Sequence, residues 1–269
     1  VKSMKKVMAI VFCSIVTSTW MLTSSAQPHE LRTTKFTVSD VDAAVAFYED
    51  LVGMEEVGRF ESPGSLIEPF MGFGEGVMRV GLLGFAKIEN IDKTPHPVSV
   101  VMIPDIDAVA ARMENANHPF NIMSADVGDE SNRRIGITTD PSGNTIELVE
   151  VDGPPKVVGA RLIVEDRAAA EDFFVRVFGV KPGRRIVTES FDEVFFDFGD
   201  DKFVALYEPK GEAPLPKSEN PVVAIYSSAF DAVLERVKAG GLGVREYGSG
   251  MFLANDPSGN VIEVVRLQN

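Results

Sequence analysis

Apolar side chains recur at i, i+3, i+4 and i+7 in four places along the chain. These are Val41, Ala44, Val45 and Tyr48; Ile106, Val109, Ala110 and Met113; Ala170, Phe173, Phe174 and Val177; and Phe230, Val233, Leu234 and Val237. That spacing gathers them on one side of a helix and predicts four helices, each packed through a single face. Asp40 and Asp105 stand where an N-cap carboxylate accepts free N–H groups, and Gly53, Gly179 and Gly240-Gly241 stand where the helices should stop. Ahead of the first stripe, Phe36 and Val38 alternate with Lys35, Thr37 and Ser39, and Leu162 and Val164 repeat the pattern before the third, which is the period of a strand. Short β-like runs follow the helices, as at 77–85, 135–139, 193–198 and 203–207. The unit is βαβββ, used four times, and the fold class is α+β.

The pattern is also an internal repeat. Asp140-Pro-Ser-Gly-Asn-Thr-Ile-Glu147 returns as Asp256-Pro-Ser-Gly-Asn-Val-Ile-Glu263. Ser39-Asp40, Phe47-Tyr48 and Gly53 are echoed by Glu165-Asp166, Phe173-Phe174 and Gly179 at an offset of 126, and Pro97-Val98 by Pro221-Val222 at 124. A repeat of this length fixes the architecture before any single residue is interpreted. Proline presets φ and Gly or Asn accepts positive φ, so Asp-Pro-Ser-Gly-Asn reads as the turn before the last strand of each half. The halves are expected at 27–152 and 153–269.

Residues 1–26 differ in kind. Lys2, Lys5 and Lys6 precede an apolar run from Val7 to about Leu22, and Ser24-Ser25-Ala26 supplies small residues for cleavage, so a secretory signal peptide is expected. The run is shorter than the roughly 20 residues of a membrane-spanning helix, which leaves a retained anchor as the lesser alternative. Cleavage after Ala26 removes three basic residues and no acidic one, moving the net charge from −14 to −17, and takes away Cys13, the only cysteine. Disulfides and thiol catalysis then drop out, and an acidic periplasmic or secreted protein does not suggest nucleic acid or membrane insertion as a partner.

Four βαβββ units, Val-Ser-Asp or Val-Glu-Asp before the first helix of each half, Phe-Tyr or Phe-Phe within it, and Asp-Pro-Ser-Gly-Asn-x-Ile-Glu closing each half resemble the vicinal oxygen chelate superfamily. That is the superfamily of glyoxalase I, bleomycin resistance proteins and extradiol dioxygenases. The resemblance covers roughly residues 33–267. It implies two paired, glyoxalase-like domains whose mixed sheets curl into cups, with a divalent metal at the base of the cup in the enzymes.

Carried over residue by residue, the resemblance places the metal ligands at Thr33 and Gly159, at Arg79 and Ala205, at Val98 and Val222, and at Glu147 and Glu263. Only the two glutamates are ligands, so the metal site is expected to be lost and no cofactor is expected. A divalent metal held unconventionally by His96 with Glu147 is the alternative; His29 also lies near a ligand position, and His118 reads as a surface residue. Arg79 would face Glu147 within one cup, either as a structural pair or as a catalytic pair, while Glu263 has no evident partner. Phe70, Phe73 and Met251, with Arg79, Glu147 and Glu263, are the candidate ligand-binding residues. The stretch from Glu61 to Gly76, rich in Gly and Pro, suits a mobile flap.

Three functions remain open at this point. One is an exported binding protein for a small, partly apolar organic molecule, as bleomycin-resistance-type members are. Another is an enzyme, either a metal-free lyase or isomerase using Arg79 and Glu147 or a metal-dependent lyase or dioxygenase with displaced ligands. The last is a structural or interaction domain whose cups are filled by their own side chains. A monomer or a homodimer fits each of them.

Overall fold

The computed structural model describes residues 27–74, 78–87, 93–126 and 132–268. The expected leader lies outside the described residues. Unit one runs β1 (His29–Thr37), α1 (Val41–Ala46), β2 (Glu55–Ser62), β3 (Leu66–Gly72) and β4 (Arg79–Phe85), with a π-helical stretch, Phe47–Val52, continuing α1. Unit two runs β5 (Ser99–Ile103), α2 (Ile106–Asn115), β6 (Asn121–Asp126), β7 (Asn132–Thr139) and β8 (Thr145–Glu150). The third comprises β9 (Lys156–Ile163), α3 (Arg167–Phe178), β10 (Pro182–Val187), β11 (Phe191–Asp197) and β12 (Phe203–Pro209). The fourth comprises β13 (Pro221–Ser227), α4 (Phe230–Ala239), β14 (Val244–Tyr247), β15 (Met251–Asn255) and β16 (Val261–Arg266).

All four helices fall on the apolar stripes, and the stripes are what they bury. Ile106, Val109 and Met113 of α2 and Ala170, Phe173, Phe174 and Val177 of α3 are buried in one continuous core. Each fully buried side chain of this size contributes roughly 1.5–3 kcal/mol of transfer free energy, which is why so few helical residues suffice to hold the sheets. Asp40, Asp105 and Asp166 cap their helices by accepting from the backbone N–H three residues on. Gly53 and Gly179 end theirs in the left-handed region, at φ 89 and 70, where an L side chain would be strained. Among the described residues no helix is long and apolar enough to cross a membrane.

The strands form two eight-stranded mixed sheets, and their composition corrects the expected pairing. One, the terminal sheet, has the order β14-β15-β16-β13-β1-β4-β3-β2; the other, the central sheet, has the order β10-β11-β12-β9-β5-β8-β7-β6. Units one and four therefore share a sheet, and so do units two and three, whereas the sequence repeat had suggested that each consecutive half would make its own. In every unit the first strand pairs in parallel with the last, and two units join through antiparallel first strands, β1 with β13 and β5 with β9. One face of each sheet carries the helices. The other is open.

The repeated Asp-Pro-Ser-Gly-Asn motif makes the expected turn, with Gly143 at φ 82 and Gly259 at φ 86, and it also ties the sheets together. Asp140 Oδ1 accepts from the N–H groups of Ser142 and Asn144, and Asn144 Nδ2 then donates to Thr37 O at 3.1 Å, from the central sheet across to β1. Asp256 and Asn260 repeat this toward Ile163 O on β9, at 3.0 Å, from the terminal sheet back to the central one. Lys93 and Lys217 bind the same two carbonyl oxygens. A cavity of about 100 Å³ lies between these clasps, lined symmetrically by Lys93 and Lys217, Asn144 and Asn260, and Val98 and Val222.

The segment expected as a flap is a hairpin. Pro63 to Ser65 turn between β2 and β3, with seven residue pairs in register from Glu55↔Gly72 to Ser62↔Leu66 and an irregularity between Glu56 and Gly58. Pro69 lies on β3, between β2 and β4, where the β3–β4 ladder is interrupted between Ile67↔Gly84 and Phe70↔Gly81; residues 75 and 76 lie outside the described residues.

Candidate functional site

On the open face of each sheet, alternate strand residues come level across four strands. In the terminal sheet these are Arg79, Thr33, Ala224 and Glu263, joined by the pairs Thr33↔Arg79, Thr33↔Ala224 and Ala224↔Glu263. The corresponding row in the central sheet is Phe203, Gly159, Val100 and Glu147. Two expected correspondences are therefore shifted by two residues. Phe203 rather than Ala205 is the counterpart of Arg79, because unit three is two residues shorter between its first and last strands. Val100 and Ala224 rather than Val98 and Val222 stand level with the glutamates, and Val98 and Val222 line the central cavity instead.

Beside each row sits a buried cation held by two carboxylates. Lys35 Nζ lies 2.9 Å from Glu263 and 2.9 Å from Glu68, with side-chain exposures of 5, 12 and 6 %. In the central sheet, Arg161 Nε donates to Glu193 at 2.6 Å and Nη1 to Glu147 at 3.4 Å and to Pro97 O at 3.0 Å. Each triad takes its cation from the first strand of one unit, one glutamate from the third strand of that unit, and the other from the terminal strand of the partner unit. The ion pairs thus lock two units into one sheet. Gly81 makes room in the terminal sheet, since a Cβ there would stand 2.6 Å from Glu68 Oε1.

The electrostatics follow from two acids sharing one base. Burial opposes the charge on Lys35, yet Glu263 and Glu68 outweigh it and raise the lysine above its usual value. Burial likewise opposes Arg161, and Glu147 and Glu193 raise it. For Glu68 and Glu193 burial wins instead and pushes each carboxyl above the ordinary carboxylate range, against the neighbouring cation.

Several expectations about the site change. Arg79 is on β4 of the terminal sheet and Glu147 on β8 of the central sheet, so they do not face each other. Glu263, expected without a partner, has Lys35. Arg79, Glu263, Phe70 and Met251 share the open side of the terminal sheet, whereas Phe73 packs against the core. His96 bonds Glu212 at 2.9 Å and packs on Tyr207, while Glu147 is engaged by Arg161. His29 is buried between Ser227 Oγ and Phe178 O, and His118 bonds Thr139 O. Lys35, Arg161, Glu68 and Glu193 were missed. One signal was available, because Lys35 and Arg161 stand at the same offset of 126 that relates Asp40 to Asp166.

These positions do not fit a divalent metal. A metal needs several converging oxygen or nitrogen donors. Each row offers a single carboxylate, which is already held by a buried ammonium or guanidinium, and the remaining places hold Thr33, Arg79 and Ala224 or Gly159, Phe203 and Val100. Among the described residues no group of three or more His, Cys, Asp or Glu side chains is arranged to hold one.

Known proteins of the same shape place this arrangement in context. Glyoxalase I from Zea mays superimposes with a TM-score of 0.74 at 19% identity, covering 88% of this chain and 92% of that one. A putative dioxygenase from Bacillus subtilis superimposes with a TM-score of 0.64 at 17% identity, covering 88% and 84%. At such identities the likeness is one of fold. No curated protein sequence matches the chain. The sequence model of the Glyoxalase/Bleomycin resistance protein/Dioxygenase superfamily matches twice in tandem, over residues 30–148 and 156–264. With both matches spanning most of its length, the chain belongs to that superfamily.

Proposed function

We propose that this protein is an exported, metal-independent member of the superfamily that binds a small, partly apolar organic molecule on an open sheet face. The observation that carries this reading is the pair of buried triads. At the place where the resemblance puts a metal ligand, each terminal glutamate is already paired with a side-chain cation from the first strand of its partner unit, two strands away in the sheet. A resident ammonium or guanidinium supplies the positive charge without leaving open coordination positions.

The rival reading of a metal-free enzyme working through Arg79 and Glu147 loses its geometry, because the two residues stand on different sheets. That units of a single chain make both eight-stranded sheets supports a monomer. Export is supported by the Lys-rich apolar leader.

The test is elemental analysis of protein purified without chelator, with calorimetric titration of Zn²⁺, Ni²⁺, Mn²⁺ and Fe²⁺ into wild type, Glu147→Ala and Glu263→Ala. No stoichiometric metal is the expected result. Stoichiometric metal that disappears with either glutamate would overturn the reading and make a metal-dependent lyase or dioxygenase the better one.

A further inference from the structure

We propose that the ligand site lies on the open face of the terminal sheet alone, and that it takes an organic monoanion whose carboxylate or similar oxyanion is gripped by Arg79. This rests on the binding reading above and specifies its site and ligand class.

The argument begins with what differs between the two rows. In the central sheet Gly159 has no side chain, and the Phe203 ring lies over it; a Cβ on Gly159 would stand 2.4 Å from that ring. Phe203 then joins Val100, Met102, Ile135, Ile137 and Val149 in an apolar cluster that covers the open face with the protein's own side chains. The terminal sheet has Thr33 in place of Gly159, and its Cβ denies the β4 side chain that inward path. Arg79 turns the other way, across Gly72 and toward Gly58. A Cβ at Gly72 would stand 3.8 Å from Arg79 Cγ, and one at Gly58 would stand 3.9 Å from Arg79 Nη1. Two glycines on adjacent strands thus present no side chain of their own to Arg79.

The guanidinium is also unsatisfied. Among the described residues its buried Nε has no hydrogen-bond partner and no carboxylate pairs with Arg79. Elsewhere, arginines find acids readily in a chain with 40 acidic residues: Arg59 holds Glu56, Arg134 holds Asp107 and Arg266 holds Asp231. A half-buried guanidinium left open is a fork suited to two oxygens of one anion. On the same face, Phe70 on the neighbouring strand is partly covered and Phe60 on the next is 51 % exposed, which gives the anion's apolar body a surface to lie on. The Lys35 ammonium donates to Glu263 and lies 2.9 Å from Glu68 Oε1, and its three N–H donors leave capacity for a ligand oxygen.

Two probes of similar shape and different charge test the proposal on the full chain. One is the anionic 8-anilinonaphthalene-1-sulfonate, the other the uncharged N-phenyl-1-naphthylamine. The expected result is one equivalent of the anionic probe per chain, weakened about tenfold or more by Arg79→Gln, partly restored in Arg79→Lys, and unchanged by Phe203→Ala. The uncharged probe should bind Arg79→Gln and wild type alike, which separates a lost contact from a lost fold. Equal affinity of Arg79→Gln and wild type for the anionic probe would overturn the proposal, as would a site abolished by Phe203→Ala. If the uncharged probe binds and the anionic one does not, the anion site fails while the binding reading stands. If neither binds wild type, both fail.

Discussion

The open faces of the two sheets start from one plan and end as opposites. Each has a first-strand cation shared by two glutamates, Lys35 in one and Arg161 in the other, and each has a level row closed by a terminal glutamate. The rows differ at three of their four places, and the exchange of Thr33 for Gly159 bears on the side chain level with it. Gly159 lets the Phe203 ring lie over it and join an apolar cluster, whereas beside Thr33 the Arg79 side chain runs past Gly72 toward Gly58. A residue with no chemistry of its own therefore decides which face can meet a ligand, because close packing leaves a large side chain only the directions its neighbours vacate.

The strongest way to break the likeness is to remove the cations. Lys35→Met and Arg161→Met each leave two buried carboxylates facing one another, and a loss of about 3–5 kcal/mol at neutral pH is expected in urea unfolding. Replacing Lys35, Glu68 and Glu263 together by Met, Leu and Leu should recover most of that loss. A smaller effect, about 1–3 kcal/mol, is expected for Gly159→Thr, which drives a Cβ into the Phe203 ring. Thr33→Gly, its converse, should cost under about 1 kcal/mol and loosen Arg79. The clasps sharpen the comparison by their equivalence, so Asn144→Ala and Asn260→Ala should each cost about 1–2 kcal/mol in the same assay.

The mildest effect is on pH dependence and separates the faces by the identity of the cation. Lys35 is raised above 10.5, so its stabilising contribution is fully present below pH 10.5 and is lost as pH rises through the folded value. Arg161 keeps its charge throughout that range. Thermal unfolding between pH 9.5 and 11.5 should therefore show a fall that Lys35→Arg reduces. An identical fall in both proteins would remove the lysine from the explanation.

Local structure was legible in the sequence and long-range pairing was not. Helix stripes, the caps Asp40 and Asp105, and the turn glycines act within a few residues, and the structure has them where the pattern put them. Which units share a sheet is settled by strands far apart in the chain, and no periodicity records it. Correct register across β12 required noticing that unit three is two residues shorter than unit one, a difference that moves the counterpart of Arg79 from Ala205 to Phe203. The triads were hidden for a different reason. In the sequence Lys35 reads only as the polar member of an alternating strand, because its chemistry comes from Glu263, 228 residues away.

The pairing of the first unit with the last also sets an order of assembly. His29 meets Ser227 across 198 residues, while β5 and β9 of the central sheet close a much shorter loop. A chain emerging from its N-terminus can complete the central sheet while β1 waits as an unpaired edge until β13 arrives. The first unit made is the last to find its neighbour, so the interval before release of the C-terminus is when this protein is most exposed to wrong partners. In the finished fold, Pro28 O accepts from Ser228 N and Leu267 N donates to Ser227 O, so the two ends of the fold lie side by side. A circular permutant that joins these ends and opens the chain between β12 and β13 would place units four and one next to each other in sequence and remove that wait.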